Sequence, residues 1–166
     1  MALVNSAWRE GEFVPAGAEP GLTRGFSWRN ATEVRTASQV ARQRFSYPAP
    51  NEPDWKTYTN VPDRTLGVRD GSGSLVFPDI VVIHSQTTEV QLVAEVETVR
   101  SLEEENDLGE KWRAFASVGP LYVFVPISHL DRARAKLHEA KVKLAGLRAW
   151  RYMAGMDFTD VVDVRP

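Results

Sequence analysis

This sequence predicts an α/β fold, a mixed sheet flanked by helices, on three observations. Two Val-, Ile- and Leu-rich runs, Leu75–Ile83 and Val90–Thr98, flank the polar stretch Ser85–Thr88 and read as a β-hairpin with largely buried strands. Apolar residues recur at helical spacing before it and twice after it. A continuous apolar run, Leu121–Val125, and a last core strand, Leu147–Met153, alternate with those later helices. The resulting order is helix, three strands, helix, strand, helix, strand, which layers helices on a sheet with the hairpin at its centre.

Taken from the N-terminus, residues 1–25 scatter Gly, Pro and Ala with little periodicity. They are expected to form an irregular arm, with a short strand near Glu12–Val14, ahead of a single α/β domain over residues 26–166. In Ser27–Phe45, the residues Ala31, Val34, Ser38, Ala41 and Phe45 keep helical spacing, and Ser27 or Asn30 is placed to cap the helix. Tyr47–Asp63 is Pro-rich and predicted to be an irregular, partly extended connection. Thr65–Arg69 reads as a short strand, and Asp70-Gly-Ser-Gly-Ser74 as the turn into the hairpin. After Thr98, Ser101 and Glu104 have capping-box spacing. Leu108, Trp112 and Phe115 then form an apolar stripe, with Lys111 beside it, up to the stop at Gly119-Pro120. His129–Ala145 reads as a helix with Leu130, Ala133, Leu137, Ala140 and Leu144 inward. Asp157–Pro166 is an edge strand or a trailing tail.

The 166 residues suit one domain with a real core, and 43% hydrophobic with 25% charged is an ordinary globular balance. A formal charge of −2 and a pI near 5.9 give no bulk basicity, although a local basic face is enough to bind nucleic acid. The absence of Cys removes disulfides and thiolate chemistry. No apolar run approaches the roughly 18 residues of a membrane span, and the first residues lack the pattern of a signal peptide. The expectation is a cytoplasmic protein with no membrane partner.

Charge inside the hairpin is the informative departure. Buried strands avoid carboxylates, because an ionised group out of water is costly unless paired or metal-bound. Yet Asp79 falls in the first run, and Glu95 and Glu97 fall in the second. Pairing the strands symmetrically about Thr87 sets Asp79 opposite Glu95, with Glu97 on the same face as Glu95. Three converging carboxylates need a compensating cation, and a hard divalent ion such as Mg²⁺, or Mn²⁺ in its place, suits oxygen ligands. The plainer account places Pro78-Asp79 in a turn and Glu95-Val96-Glu97 on an exposed strand, where acids discourage edge pairing. Pro53-Asp54 and Pro62-Asp63 are such ordinary turn pairs, but only Pro78-Asp79 is embedded in an apolar run facing further acids.

Other chemistries find little support. Asp70–Ser74 has no following Lys-Ser/Thr and opens no helix, so it is not a phosphate loop. His84, His129 and His138 lack metal-ligand spacing, and no nucleophile elbow supports Ser-His-Asp catalysis. The five Trp residues do not cluster in sequence and read as anchors.

The order of elements, with Pro78-Asp79 in one strand and Glu95-Val96-Glu97 in the next, resembles the PD-(D/E)XK nuclease superfamily, the restriction-endonuclease-like fold. The resemblance covers residues 27–153. It implies that Asp79 and Glu95, helped by the backbone carbonyl of Val96, bind Mg²⁺ for metal-activated attack of water on a phosphodiester. Glu97 stands where the family has Lys. Three accounts follow: Glu97 itself takes that position, as in the E-X-E variants of some restriction enzymes; the Lys has moved to the next helix, with Lys111 the preferred candidate; or catalysis is lost. Glu33 is a candidate accessory acid, and an exposed surface Glu otherwise.

The expected function is a metal-dependent endonuclease acting on nucleic acid, DNA rather than RNA. The alternative is an inactive member of the same fold that binds nucleic acid or protein. Residues 129–151 carry Arg132, Arg134, Lys136, Lys141, Lys143, Arg148 and Arg151 against Asp131 and Glu139. On a helix these read first as a solvated face. With nucleic acid bound, Arg132 and Arg134, together with Arg35, Arg42 and Arg44, are the candidates for phosphate contact. A homodimer is one way for so small a domain to span a duplex.

Overall fold

The computed structural model describes residues 31–156 and 158–164. The predicted caps at Ser27 and Asn30, the strand near Glu12–Val14 and the N-terminal arm lie outside the described residues. The chain folds into helix α1 (Ala31–Arg44), strands β1 (Trp55–Thr59), β2 (Val68–Arg69), β3 (Leu75–Val76), β4 (Ile80–His84) and β5 (Val90–Val96), then helices α2 (Val99–Glu104) and α3 (Leu108–Val118). Strand β6 (Leu121–Pro126), a 3₁₀ turn (Ile127–His129), α4 (Leu130–Ala140), β7 (Gly146–Met153) and β8 (Phe158–Asp163) complete it. This is an α/β architecture with a mixed sheet between helices.

Six strands form one sheet in the order β1-β4-β5-β6-β7-β8. β5, β6 and β7 run parallel, and β1 and β5 each pair antiparallel with β4, as β8 does with β7. On one face Leu102 of α2, Leu108, Trp112 and Phe115 of α3 and Ala133 and Leu137 of α4 pack on Val81, Ile83, Val93 and Val123. On the other, Ala37, Val40 and Ala41 of α1 pack with Phe45 on Ile80, Val82, Ala94, Phe124 and Trp150. Strand β4 is covered on both faces, so its apolar residues run without alternation; Ile80, Val81 and Val82 are wholly buried. Each such side chain contributes about 1.5–3 kcal/mol of burial.

Several expectations need correction. The extended part of the Pro-rich connection is more than extended: Trp55–Thr59 is the edge strand β1, paired with β4. Its half-buried Trp-Lys-Thr-Tyr-Thr has no apolar run to announce it. The long first strand of the hairpin is two strands, because Pro78 has no N–H to continue a ladder. β3 instead pairs with β2 in a separate two-stranded sheet. Asp79 therefore precedes β4 rather than lying inside a strand. Its register is as expected: Ile80 pairs with Ala94, so the next position sets Asp79 opposite Glu95. The symmetry about Thr87 ends past Val82–Leu92, where Ile83 pairs with Val90 and a bulge absorbs Gln91.

The helix after the hairpin is two helices. Its capping box is Thr98–Ser101, not Ser101–Glu104: Thr98 Oγ1 accepts from Ser101 N–H, and the Ser101 hydroxyl accepts from Thr98 N–H. The helix predicted to run to Ala145 ends at Ala140, where Lys141 adopts a left-handed conformation, φ 54°. In α1 the buried face holds Glu33, Thr36, Ala37, Val40 and Ala41, a rotation from the predicted stripe that leaves Val34 and Ser38 half-buried. The tail forms the edge strand β8.

Candidate functional site

The carboxyl ends of the parallel strands β5, β6 and β7 share one edge of the sheet, which is where open α/β sheets bind ligands. Because β4 runs opposite to β5, the residue preceding it reaches this same edge. That brings Asp79 next to Glu95 and Glu97. The Asp79 N–H donates to Glu95 Oε2 at 3.0 Å, and the Val96 N–H donates to Asp79 Oδ2 at 2.9 Å. Each acid thus holds the segment bearing the other. Asn60 fixes the approach: its amide donates to the Pro78 and Leu66 carbonyls, and its carbonyl accepts the Thr65 and Leu66 N–H groups. The Asn60 N–H donates to the Asp79 carbonyl.

Lys111 closes the cluster. The apolar stripe of α3 faces the sheet, and Lys111 beside it extends its amine to 3.2 Å from Glu95 Oε1 and 2.8 Å from Glu97 Oε1. It also donates to Glu105 Oε2 at 3.3 Å, from the turn between α2 and α3. Both oxygens of Glu97 are engaged, since Trp112 Nε1–H donates to Oε1 at 2.9 Å and the Ser101 hydroxyl to Oε2 at 2.6 Å. The Glu97 backbone accepts from Trp150 Nε1–H and donates to Phe124 O, extending the β5–β6 ladder past Val96. Glu33 lies one step away, accepting from the Thr98 hydroxyl at 3.2 Å. Asp79, Glu95, Glu97, Lys111 and Glu33 are all buried. So the expected surface fate of Glu33 is not observed, and the three carboxylates do not wait on a divalent ion alone for compensation: Lys111 supplies one positive charge.

Among the described residues, no group of three or more His, Cys, Asp or Glu side chains is arranged to hold a metal ion. Glu97, with both oxygens held by Lys111, Trp112 and Ser101, is placed as an anchor for Lys111 rather than as a ligand. Asp79 and Glu95 lie side by side as hard-oxygen donors, already engaged by the Val96 N–H and by the Asp79 N–H and Lys111 respectively. Mg²⁺ commonly takes one or two carboxylates and completes its shell with water and phosphate oxygens, so two carboxylates beside the Val96 backbone fit its chemistry. A cleft of about 450 Å³ is lined by Arg100, Glu104, Glu105, Asn106 and Asp107.

The basic candidates divide. Arg35 lies over the Tyr152 ring, 5.2 Å from its centroid, and Arg132 donates to Leu102 O of α2; both are near the site edge. Arg44 donates to Val161 O and faces Asp163 at 3.7 Å, toward the opposite edge, and Arg42 shares that last turn of α1. Arg134 pairs with Asp131 on the exposed side of α4. Asn60, Ser101, Glu105 and Trp112 were not expected at the site. Asn60 and Glu105 carry no sequence signal, while the hydroxyls flanking Glu97 and the Trp beside Lys111 were readable only once Lys111 was placed.

No protein-family model matches the chain, and no significant match appears among curated proteins or solved structures. Among the described residues, no helix is long and apolar enough to cross a membrane.

Proposed function

We propose that the chain is a metal-dependent phosphodiesterase of PD-(D/E)XK type acting on nucleic acid, DNA rather than RNA. The observation that carries this reading is the Lys111 amine, delivered from α3 to within 3.2 Å of Glu95, the carboxylate that accepts the Asp79 N–H. Asp79 and Glu95 would hold Mg²⁺ or Mn²⁺, with the Val96 carbonyl as the third protein donor. The metal supplies Lewis acidity and lowers the pKa of bound water. Lys111 then has two tasks at the phosphate: its fixed positive charge offsets charge building on the phosphoryl oxygens, and its N–H groups orient the attacking water. Glu97, itself held by Trp112 and Ser101, keeps that amine in place, in keeping with a migrated Lys rather than a Glu acting in its stead.

Incubating duplex, single-stranded and branched DNA with Mg²⁺ or Mn²⁺, beside Asp79→Asn, tests the proposal. Metal-dependent cutting that disappears in Asp79→Asn supports it; no cutting of any substrate rejects it. One observation favours the second reading, a binding module without catalysis: the Lys111 side chain is only 2% exposed and is ringed by three acids. Nucleic-acid binding without cutting in the same samples would select it.

A further inference from the structure

Among the described residues, the exposed large hydrophobic side chains are Val99, Ile127, Tyr152, Met156 and Phe158. They are not scattered. Val99 follows β5, Ile127 follows β6, and Tyr152, Met156 and Phe158 surround the β7–β8 connection, where Met153 pairs with Phe158. All five therefore lie at the carboxyl ends of the parallel strands, on the sheet edge that holds Asp79, Glu95 and Lys111. Exposed apolar groups at one end of the sheet make that end a candidate binding surface.

Two residues near Tyr152 and its partner Arg35 reach the segment that carries Glu97. Trp150, two residues earlier on the same face of β7, donates its indole N–H to the Glu97 carbonyl at 2.9 Å. Two residues along a strand span about 7 Å. On α1, Arg35 caps the Tyr152 ring at 5.2 Å, while Glu33, two residues before it, accepts from Thr98 next to Glu97. The result is a half-exposed aromatic ring backed by a guanidinium on the α1 side of the sheet, at the same end of the strands as the Glu95–Lys111 pair, which faces α3.

We infer that this rim receives unpaired nucleotides, with a base stacking on Tyr152 and Arg35 contributing cation–π and phosphate contact. An aromatic ring beside a cation is one of the elements with which proteins hold single strands without reading sequence. A base stacked within a duplex presents no free face to Tyr152, so single-stranded or frayed substrates gain a contact that closed duplexes lack. The inference deepens the phosphodiesterase reading by naming its substrate class, and it rests on that reading for the chemistry.

Fluorescence anisotropy with a labelled oligothymidylate and a duplex of equal length, both in EDTA, tests it without hydrolysis. The single strand should bind more tightly than the duplex. Tyr152→Leu should weaken single-strand binding about tenfold, within the range measured for base–aromatic stacking, and Tyr152→Phe should leave it unchanged. Equal binding by Tyr152→Leu, or a preference for duplex, overturns the inference. So does a finding by sedimentation that Tyr152→Leu breaks self-association but leaves oligonucleotide binding intact, because the rim then covers a second copy. Metal-dependent duplex cutting alongside unchanged Tyr152→Leu binding removes this inference and leaves the nuclease. Tyr152-dependent binding without any cutting does the reverse.

Discussion

The Lys111 amine stands 2.8 Å from the Glu97 carboxylate, and neither side chain has more than 2% of its surface exposed. Such a pair is costly to bury and more costly to break, since removing one partner strands the other charge away from water. Glu97 is not idle acid in the strand. It receives Trp112 and Ser101 as well, so a network spanning β5, α2 and α3 fixes a single position for the amine.

Removing Lys111 should therefore be a large perturbation. Lys111→Met keeps the stem but leaves Glu95 and Glu97 without their cation, and the expected loss is about 3–5 kcal/mol in urea unfolding. In a double-mutant cycle with Glu97→Gln, the losses should be less than additive by 1 kcal/mol or so. Additive losses would mean that the two groups do not communicate.

Trp112→Phe isolates one hydrogen bond. The smaller ring keeps most of the packing while removing the N–H that donates to Glu97 Oε1 at 2.9 Å. A hydrogen bond to a charged group is worth about 1.5–3 kcal/mol, and a loss of that size is expected from denaturant midpoints at unchanged slope.

Asn60 uses its full hydrogen-bonding capacity inside the protein, binding two carbonyls and two N–H groups around Pro78 and Leu66. Asn60→Ala should cost about 3 kcal/mol or more, because several buried backbone groups lose their partners together. Asn60→Asp should also destabilise, since it keeps the acceptor but turns oxygen toward the Pro78 carbonyl. Hydrogen exchange at residues 60–66 and at Asp79 should quicken in both variants.

The exposed pair Glu103–His129 gives a pH-dependent prediction. The hydrogen bond from His129, 2.9 Å long, holds the Glu103 carboxyl below its ordinary value of 4.5. A depressed carboxyl pKa stabilises the fold fully above the unfolded value, and that contribution is lost as pH falls through the folded one. The effect on stability is small because the pair is solvated. A carboxyl-carbon NMR titration should place the Glu103 midpoint below 4.5 and move it upward in His129→Ala.

How much of this was legible follows from burial. Strand β4 is covered on both faces, which forces Ile80–Ile83 to be uninterruptedly apolar and makes three nearby acids conspicuous. Lys111 was readable because Leu108, Trp112 and Phe115 set the phase of α3 and place it beside the sheet-facing stripe. Strand β1 was not, because an edge strand with half-buried Trp, Lys, Thr and Tyr satisfies no single pattern. The break at Pro78 was visible as a residue, but its consequence, that β3 leaves to pair with β2, depends on a partner 8 positions away (Val68 with Val76). Glu33, Asn60 and Glu105 take their roles from tertiary meetings between distant segments. In Asn-Val-Pro-Asp, Asn60 looks like turn chemistry, and nothing local distinguishes it.

The proposed role of Lys111 is to orient the water that attacks the phosphodiester and to offset the charge that builds on it. It is tested most directly by the rate of Mg²⁺-dependent DNA cleavage in the wild-type chain and in Lys111→Met, with circular dichroism and a melting curve showing that the variant is folded at the assay temperature. Cutting by the wild type that falls by more than about a hundredfold in Lys111→Met is the predicted result, since even outer-sphere partners of metal sites are worth about 10- to 100-fold. Cutting by folded Lys111→Met at the wild-type rate would contradict the claim, as would a wild-type chain that cuts nothing.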